Sequence, residues 1–245
     1  MKVNAIPIKK ETELNFHKLM DMAQPDDSLL VLMHGSPDPD AIASAMALRE
    51  ILLRTKGLSK WVFAATEPIR RQQNRELAQA MRLNIRLLNQ IDAGACRLVA
   101  LVDAQPSFFG DSLPAREPDI VMDHHPREGG WQAALADIRP SYGALSTILT
   151  EYLLAARVRI TRNLHTALLY GIKTDTDNFD RETLAEDMAL HPPDDDTPID
   201  EHTAQATARL VLDLADELEP MLVYASVSYT HLRAHETPEH LVCRL

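Results

Sequence analysis

The sequence predicts an α/β fold in which a mainly parallel sheet carries helices on both faces. Three short and almost continuously apolar runs, at residues 28–33, 97–103 and 118–123, predict buried strands, because strands covered on both faces lack the polar alternation of half-exposed ones. Segments with helical periodicity separate these runs, which is the order typical of a parallel sheet. The chain has 245 residues and is 45% hydrophobic, which is ample for the core of such a domain.

The first part of the chain supplies a leader helix, two strands and two helical stretches. Residues 1–27 carry apolar residues on one side of the predicted leader helix. Residues 28–33 form the first strand, and Asp40 is a plausible N-cap for the helix that follows. A second strand is predicted at residues 61–65. Residues 70–88 form an arginine-rich helical stretch, for which a solvated helix face is favoured over a phosphate clamp.

Two further helices are predicted in the second half of the chain. The first is an amphipathic helix over residues 141–154, whose small, hydroxyl-bearing first turn leaves backbone N–H groups free to bind an anion. The remaining length of this helix is expected to pack in the core. The second helix covers residues 163–171 and leads into a small apolar segment.

Acidic and imidazole side chains follow each of the apolar runs. Because ligands bind at the carboxyl edge of open parallel sheets, these side chains are expected to converge. One such motif alone is weak evidence, since surface loops often hold two aspartates near a histidine, but its recurrence favours a site over a solvated loop. The candidates are His34, Asp38 and Asp40 after the first strand, Asp103 after the strand at 97–103, Asp123, His124 and His125 after the next, and Asp175 with Asp177 after the small apolar segment.

The chemistry of these side chains suits divalent metal ions. They are mainly aspartates with few imidazoles, and ligands of this kind favour Mn²⁺ or Mg²⁺ over zinc or copper. Two such ions about 3.5–4 Å apart can bind a phosphate oxygen, generate hydroxide at neutral pH and stabilise the charge of an in-line displacement. The Asp123 carboxylate is expected to fix the tautomer of a neighbouring imidazole that binds a metal.

Composition excludes several other classes of protein. No apolar run approaches the roughly 18 residues that a membrane span needs, and the N-terminus lacks the apolar region of a signal peptide, so a cytoplasmic protein is expected. The net charge of −11 argues against a large sequence-independent nucleic-acid surface, although a small phosphorylated substrate stays compatible. Cys96 and Cys243 indicate neither a disulfide framework nor a zinc site.

Four motifs over about residues 28–180 resemble, in order and in approximate spacing, those of the DHH phosphoesterase superfamily. The segment at residues 143–147 is similar to the helix start of its nucleotide-cleaving branch, which includes RecJ-type exonucleases, oligoribonucleases and pAp phosphatases. The resemblance implies a Rossmann-like three-layer catalytic domain. The matching motifs are His34-x3-Asp38-x-Asp40, the strand that ends at Asp103, Asp123-His124-His125, and Gly171-Ile-Lys-Thr-Asp175-Thr.

The same resemblance implies a role for each matching residue. His34, Asp38, Asp103 and Asp175 would hold one metal ion, and Asp40, Asp103, His124 and Asp175 would hold the other. Asp103 and Asp175 would bridge the pair, and the implied ions are Mn²⁺ or Mg²⁺. His125 would face the substrate phosphate or the leaving group as the catalytic residue, and Asp123 would support the histidines. Asp177 stands where many members have glycine and is not carried over as a ligand.

The predicted domain boundaries follow from the family pattern and from composition. Residues 1–190 are assigned to the catalytic domain. Residues 191–225 read as an acidic loop and helical linker toward a second, substrate-gripping domain, whose glycine-rich segment is missing because no glycine follows Gly171. Residues 226–245 resemble translated sequencing adapter and are expected to be a non-native tail. Their three histidines are therefore not assigned to a metal site.

Two functions remain open at this stage. The first is a phosphoesterase that uses two metal ions to hydrolyse short oligonucleotides, pAp, or linear or cyclic dinucleotides. The alternative is a nucleotide-binding module whose catalysis is impaired because the second domain is missing. The expected partner is a small phosphorylated nucleotide or a short oligonucleotide, not a membrane or a large duplex, and a homodimer is left open. The sequence does not choose among these substrates.

Overall fold

Six strands form one parallel sheet in the computed structural model, which describes residues 8–114 and 116–176. The order of the strands is β3-β2-β1-β4-β5-β6, and every neighbouring pair is parallel. The predicted α/β class is therefore confirmed. The strands are β1 (Ser28–Met33), β2 (Lys60–Ala65), β3 (Ile85–Leu87), β4 (Leu98–Val102), β5 (Ile120–Asp123) and β6 (Leu135–Ile138).

The central helix, α2, is buried almost all round, because it lies on the sheet and is covered in turn by α5 and α6. It ends at Gly57, whose left-handed backbone (φ 72°) lets its N–H bond the carbonyl of Leu53. The helices are α1 (Lys10–Met22), α2 (Pro39–Lys56), α3 (Gln72–Ala80), α4 (Pro106–Phe109), α5 (Leu145–Ala155) and α6 (Arg162–Asp175).

Alternate residues of the strands enter two separate cores, one on each face of the sheet. Leu29, Val31 and Met33 of β1 pack with the long helices in the larger core. Leu30 and Leu32 face the smaller core, which α4, short 3₁₀ turns and loops cover. Both faces of the sheet are thus closed, which explains why β4 is wholly apolar and β1 is apolar after Ser28.

The order of the strands reverses between β1 and β4, since β2 and β3 lie to one side and β5 and β6 to the other. Open α/β sheets bind ligands at the carboxyl edge beside such a reversal, where the loops of two neighbouring strands diverge. Asp38 and Asp103 follow the two strands that meet there, and His124 and His125 follow β5, the neighbour of β4. The topology therefore brings the sequence motifs to one edge.

Four differences from the prediction concern β3, β6, α6 and α2. The helix expected over residues 70–88 ends at Ala80, and the chain then turns through Arg82, at a φ of 54°, into β3, which pairs with β2. The strand β6 was not predicted, because its four residues alternate too briefly to stand out. The helix α6 continues to Asp175, so this aspartate lies at the end of a helix and does not follow a strand-like segment.

The fourth difference concerns the start of α2. The N-cap is Asp38, whose carboxylate accepts a hydrogen bond from the N–H of Ala41 at 2.9 Å, and not Asp40 as predicted. The helix begins earlier because Pro39 occupies its first position, where proline's fixed φ is favourable and its missing N–H costs nothing. Asp40 is consequently inside the first turn and is free to reach another element.

The predicted linker at residues 191–225 and the predicted tail at residues 226–245 lie outside the described residues, as does Asp177. The proposed domain boundaries stay predictions. Within residues 8–114 and 116–176, no helix combines the length and the apolar character needed to cross a bilayer.

Candidate metal centre

Asp40 joins the first turn of α2 to the first turn of α5. It is fully buried, and its two carboxylate oxygens accept hydrogen bonds from the backbone N–H groups of Leu145 (2.6 Å) and Ser146 (2.7 Å). The predicted helix start at residue 141 is wrong, because α5 begins at Leu145. The N–H groups of its first turn do bind an anion, but that anion is Asp40 of the protein itself. Burial first, and then the charges of Asp103 and Asp175, raise the pKa of Asp40 well above its usual range.

Asp103 follows β4 in a left-handed backbone conformation, with a φ of 54°. Its N–H donates to the carbonyl of Met122 on β5, so the chain stays bonded to the neighbouring strand while it turns sharply out of β4. Non-glycine residues rarely adopt this conformation, and aspartate is among those that tolerate it. The turn leaves Oδ1 of Asp103 buried, with no hydrogen-bond partner in the described part of the chain.

His124 lies directly after β5 and is buried. Its Nδ1 is 3.1 Å from the backbone carbonyl of Tyr142. A carbonyl can only accept, so Nδ1 carries the hydrogen and the lone pair of the neutral ring resides on Nε2. That Nε2 lies 3.1 Å from Oδ2 of Asp175, 3.4 Å from Oδ1 of Asp103 and 4.0 Å from Oδ2 of Asp40. Within residues 8–114 and 116–176 it has no hydrogen-bond partner.

Asp175 is the last residue of α6, and its carboxylate lies beside Nε2 of His124. The close approach of α6 to α2 depends on Gly171, one turn earlier, because a Cβ there would lie 2.7 Å from Oγ of Ser146 and 3.0 Å from Cα of Asp40. Glycine therefore sets the distance between the two helices. Any larger residue would push Asp175 away from Asp40.

These four side chains form one compact group, here called the carboxylate cluster: Asp40, Asp103, His124 and Asp175. One ligand atom from each residue lies within 4.8 Å of all the others. Burial alone would lower the pKa of His124, but the carboxylates of Asp103 and Asp175 outweigh burial and raise it well above its usual value. Three carboxylates around one lone pair thus demand a positive charge at Nε2.

A divalent cation fits this group. Cis ligands of an octahedral ion at about 2.1 Å are about 3 Å apart, which matches the distances from Nε2 to the carboxylates of Asp175 and Asp103. A histidine that binds a metal usually donates its other ring N–H to a carbonyl, as Nδ1 of His124 does. Three carboxylates and one imidazole are a mainly hard donor set that suits Mn²⁺ or Mg²⁺.

A second, overlapping group consists of Asp103, His124 and His125. His125 is more exposed, with 45% of its side chain accessible, and its Nδ1 is 2.8 Å from Oδ1 of Asp123. The hydrogen bond to Asp123 is the main cause that raises the pKa of His125. The Asp123 side chain thereby orients His125, and His124 is the next residue in the chain.

Asp123 is itself held by Gln105, a fully buried residue that the sequence motifs did not single out. The Gln105 amide donates to Oδ2 of Asp123 (2.9 Å) and to the carbonyl of Pro126 (2.9 Å), and its carbonyl oxygen accepts the N–H of Glu128. Gln105 therefore fixes the start of the loop that carries both histidines. Its only signal in the sequence is its position two residues after Asp103.

His34 and Asp38 lie outside both groups. The exposed ring of His34 makes edge contacts with Phe108 and Phe109, at centroid distances of 6.0 Å and 5.4 Å. Asp38 is closer to the carboxylate cluster, since burial first, and then the charges of Asp103 and Asp175, raise its pKa to about 7. The structure thus assembles the ligands expected for one of the two ions. The assignment of all six ligands stays a prediction.

The sheet and the carboxylate cluster define an α/β protein with a candidate site for divalent metal at a topological switch point. The model of the DHH family, N-terminal domain, matches residues 28–172, which is more than half of the chain. This chain belongs to the DHH family, whose members are metal-dependent phosphoesterases. The superfamily inferred from the motifs is confirmed, whereas the nucleotide-cleaving branch stays a prediction.

The chain is also similar to the uncharacterized protein MJ1633 of Methanocaldococcus jannaschii, with 38% identity over 157 residues. The match covers 63% of this chain and 32% of that protein. The chain thus corresponds to about a third of the length of this relative. The likeness carries no information on substrate.

Proposed function

We propose that this protein hydrolyses phosphoester bonds of small nucleotides: short oligonucleotides, pAp, or linear or cyclic dinucleotides. The observation that carries the proposal is the carboxylate cluster, in which buried Oδ1 of Asp103 and Nε2 of His124 have no partner among the residues that the structure describes. A pair of bound divalent ions, Mn²⁺ or Mg²⁺, would lower the pKa of water and neutralise charge on the phosphate. His34 and Asp38 are proposed to complete the second ion site.

The residues of the chain have separate tasks in this proposal. Asp40, Asp103, His124 and Asp175 would hold the ions, and Asp103 and Asp175 would bridge them. His125 is suited to the substrate side, because Asp123 occupies Nδ1 and the more exposed ring leaves Nε2 for a phosphate oxygen or the leaving group. The hydrogen bond to Asp123 favours the protonated ring, which donates to an oxyanion or supplies a proton to the departing oxygen.

Hydrolysis assays on the purified chain test the proposal. With Mn²⁺ present, release of mononucleotide or phosphate is measured from an RNA pentamer, pAp, and a linear and a cyclic dinucleotide. Asp103→Asn is expected to reduce turnover by about 10³-fold or more, because it removes a bridging carboxylate from the metal ions. Asp111→Asn makes the same chemical change at an exposed position and should leave turnover unchanged.

Two results would argue against the proposal. Equal turnover by Asp103→Asn and Asp111→Asn would remove the carboxylate cluster from the reaction. Binding of a nucleotide with Mn²⁺ but without hydrolysis of any of the four substrates would favour the alternative, a nucleotide-binding module without catalysis.

A further inference from the structure

We propose that Tyr142 is a positioning residue for the metal site, acting through the carbonyl that fixes the tautomer of His124. This inference rests on the proposed function, since it assigns Tyr142 to the same site. Tyr142 contributes no ligand atom. Its backbone touches one ligand directly, and its side chain is anchored in a buried polar network that keeps the backbone in place.

The first step is the contact between Tyr142 and His124. The Tyr142 carbonyl accepts from Nδ1 of His124 at 3.1 Å, and both residues are buried. This bond places the lone pair on Nε2, toward Asp103 and Asp175. Loss of the bond would let the ring rotate or take the other tautomer, which carries a hydrogen where the ion should bind.

The second step is how the Tyr142 side chain is held. Its hydroxyl donates to Oε1 of Glu151 at 2.6 Å. The guanidinium of Arg139 and the ammonium of Lys9 lie over the ring, at 5.4 Å and 4.7 Å from its centroid. The Tyr142 N–H donates to the carbonyl of Arg139 at 3.0 Å. The residue is therefore clamped at the ring, the hydroxyl and the backbone.

The clamp belongs to a larger group that we call the arginine network. Arg139 makes two hydrogen bonds of 2.7 Å to the carboxylate of Asp137 and one of 2.9 Å to Glu151. The hydroxyl of Tyr152 also donates to Oδ2 of Asp137, at 2.6 Å. Its members are Thr12, Asp137, Arg139, Tyr142, Glu151 and Tyr152, and all are buried.

The third step is that the segment containing Tyr142 touches two ligands. Residues 139–146 connect β6 to the first turn of α5, and the N–H groups of Leu145 and Ser146 bond both oxygens of Asp40. A shift of this segment would displace the acceptor of His124 and the donors of Asp40 together. Tyr142 is the member of the arginine network that lies within this segment nearest both contacts.

Two tyrosines of the arginine network provide a matched experiment. Tyr142→Phe and Tyr152→Phe each remove one buried phenol-to-carboxylate hydrogen bond of 2.6 Å. Only Tyr142 also bears a carbonyl that accepts from a residue of the carboxylate cluster. The measured quantities are the Mn²⁺ dissociation constant, from the electron paramagnetic resonance of free Mn²⁺, and the thermal midpoint without metal.

Tyr142→Phe is expected to weaken Mn²⁺ binding by about 10-fold, the lower end of what loss of an orienting partner costs. Tyr152→Phe should lower the thermal midpoint to a similar extent and leave Mn²⁺ affinity at the wild-type value. Equal affinities in the two variants would overturn the inference, because Tyr142 would then be purely structural. Neither the Mn²⁺ affinity nor the thermal midpoint depends on turnover. If the wild-type protein binds Mn²⁺ but hydrolyses none of the substrates, the proposed function is refuted and the inference about Tyr142 is not.

A second measurement on the wild-type protein needs no variant. The ¹⁵N shifts of the His124 ring, recorded with the diamagnetic ion Mg²⁺, report which nitrogen carries the hydrogen. The inference expects hydrogen on Nδ1. Hydrogen on Nε2 in the metal-loaded protein would overturn it, because Nδ1 could then not donate a hydrogen bond to the Tyr142 carbonyl.

Discussion

Two buried polar groups lie side by side in this molecule, and they differ in how their charges are balanced. In the arginine network, Arg139 pairs with Asp137 and Glu151, and both tyrosine hydroxyls find a carboxylate. In the carboxylate cluster, three carboxylates surround one histidine, and no described residue pairs with Oδ1 of Asp103 or Nε2 of His124. The first group is complete in itself, whereas the second requires a cation.

The difference separates a structural role from a functional one. Buried polar atoms are nearly always paired, so an unpaired set marks a place where something else binds. A paired network stabilises the geometry around it, as the arginine network does for the segment between β6 and α5. Burial of polar residues by itself would not have distinguished the two groups, because Asp40 and His124 of the carboxylate cluster are buried like the members of the arginine network.

The largest expected effect is on the arginine network. Arg139→Met should reduce the free energy of unfolding by about 3–5 kcal/mol, because it leaves Asp137 and Glu151 buried without their counter-charge. The comparison variant is Arg54→Met, which breaks a pair with Glu50 at 3.2 Å in which Arg54 is 58% exposed. That loss should be about 0–1 kcal/mol. Equal losses in urea titrations would show that the network is not the stabilising group.

The next effect concerns the carboxylate cluster and its cation. Mn²⁺ at 100 times its dissociation constant should stabilise the fold by about 2.7 kcal/mol, because the ion binds the folded cluster and not the separated ligands of the unfolded chain. Asp175→Asn should lose most of this gain. Differential scanning calorimetry with and without Mn²⁺ measures both. A thermal midpoint that does not respond to Mn²⁺ in the wild-type protein would contradict the cation requirement.

A smaller effect is expected at the contact that brings the cluster together. Gly171→Ala should destabilise the fold by about 1–3 kcal/mol, because the new methyl group would meet Ser146 and the backbone of Asp40. It should also weaken Mn²⁺ binding, since α6 carries Asp175. Gly130→Ala adds the same methyl group into open space and should change neither quantity. Chemical denaturation and Mn²⁺ titration of the two variants provide the check.

The smallest expected effect is an increase, not a decrease, in the free energy of unfolding. Without metal, Asp103→Asn should increase the free energy of unfolding by about 0.5–1 kcal/mol, because it removes one of several crowded carboxylates and asparagine tolerates the left-handed backbone. Denaturant titration in a chelator measures this change. A clear loss of stability would mean that Asp103 pairs within the protein, in which case the two groups would not differ as described.

Much of the fold could be predicted because its signals are local. The runs that became β1, β4 and β5 are almost continuously apolar, which is the direct consequence of burial on both faces. The polar residues that follow them were correctly placed at one edge, because parallel strands all present their carboxyl ends there. The strands β3 and β6 escaped prediction, since three or four residues at a sheet margin carry too little periodicity.

The sequence by itself determined the class of fold, the edge of the sheet that carries the site, and the residue types that suit a divalent ion. Only the tertiary structure decided that Asp40 takes the N–H groups of α5, that Gln105 holds Asp123, and that Tyr142 fixes the ring of His124. The physical reason is how far apart in the sequence the interacting residues lie. Strand and helix patterns depend on neighbours a few residues away, whereas each of these hydrogen bonds joins residues 18 to 105 positions apart.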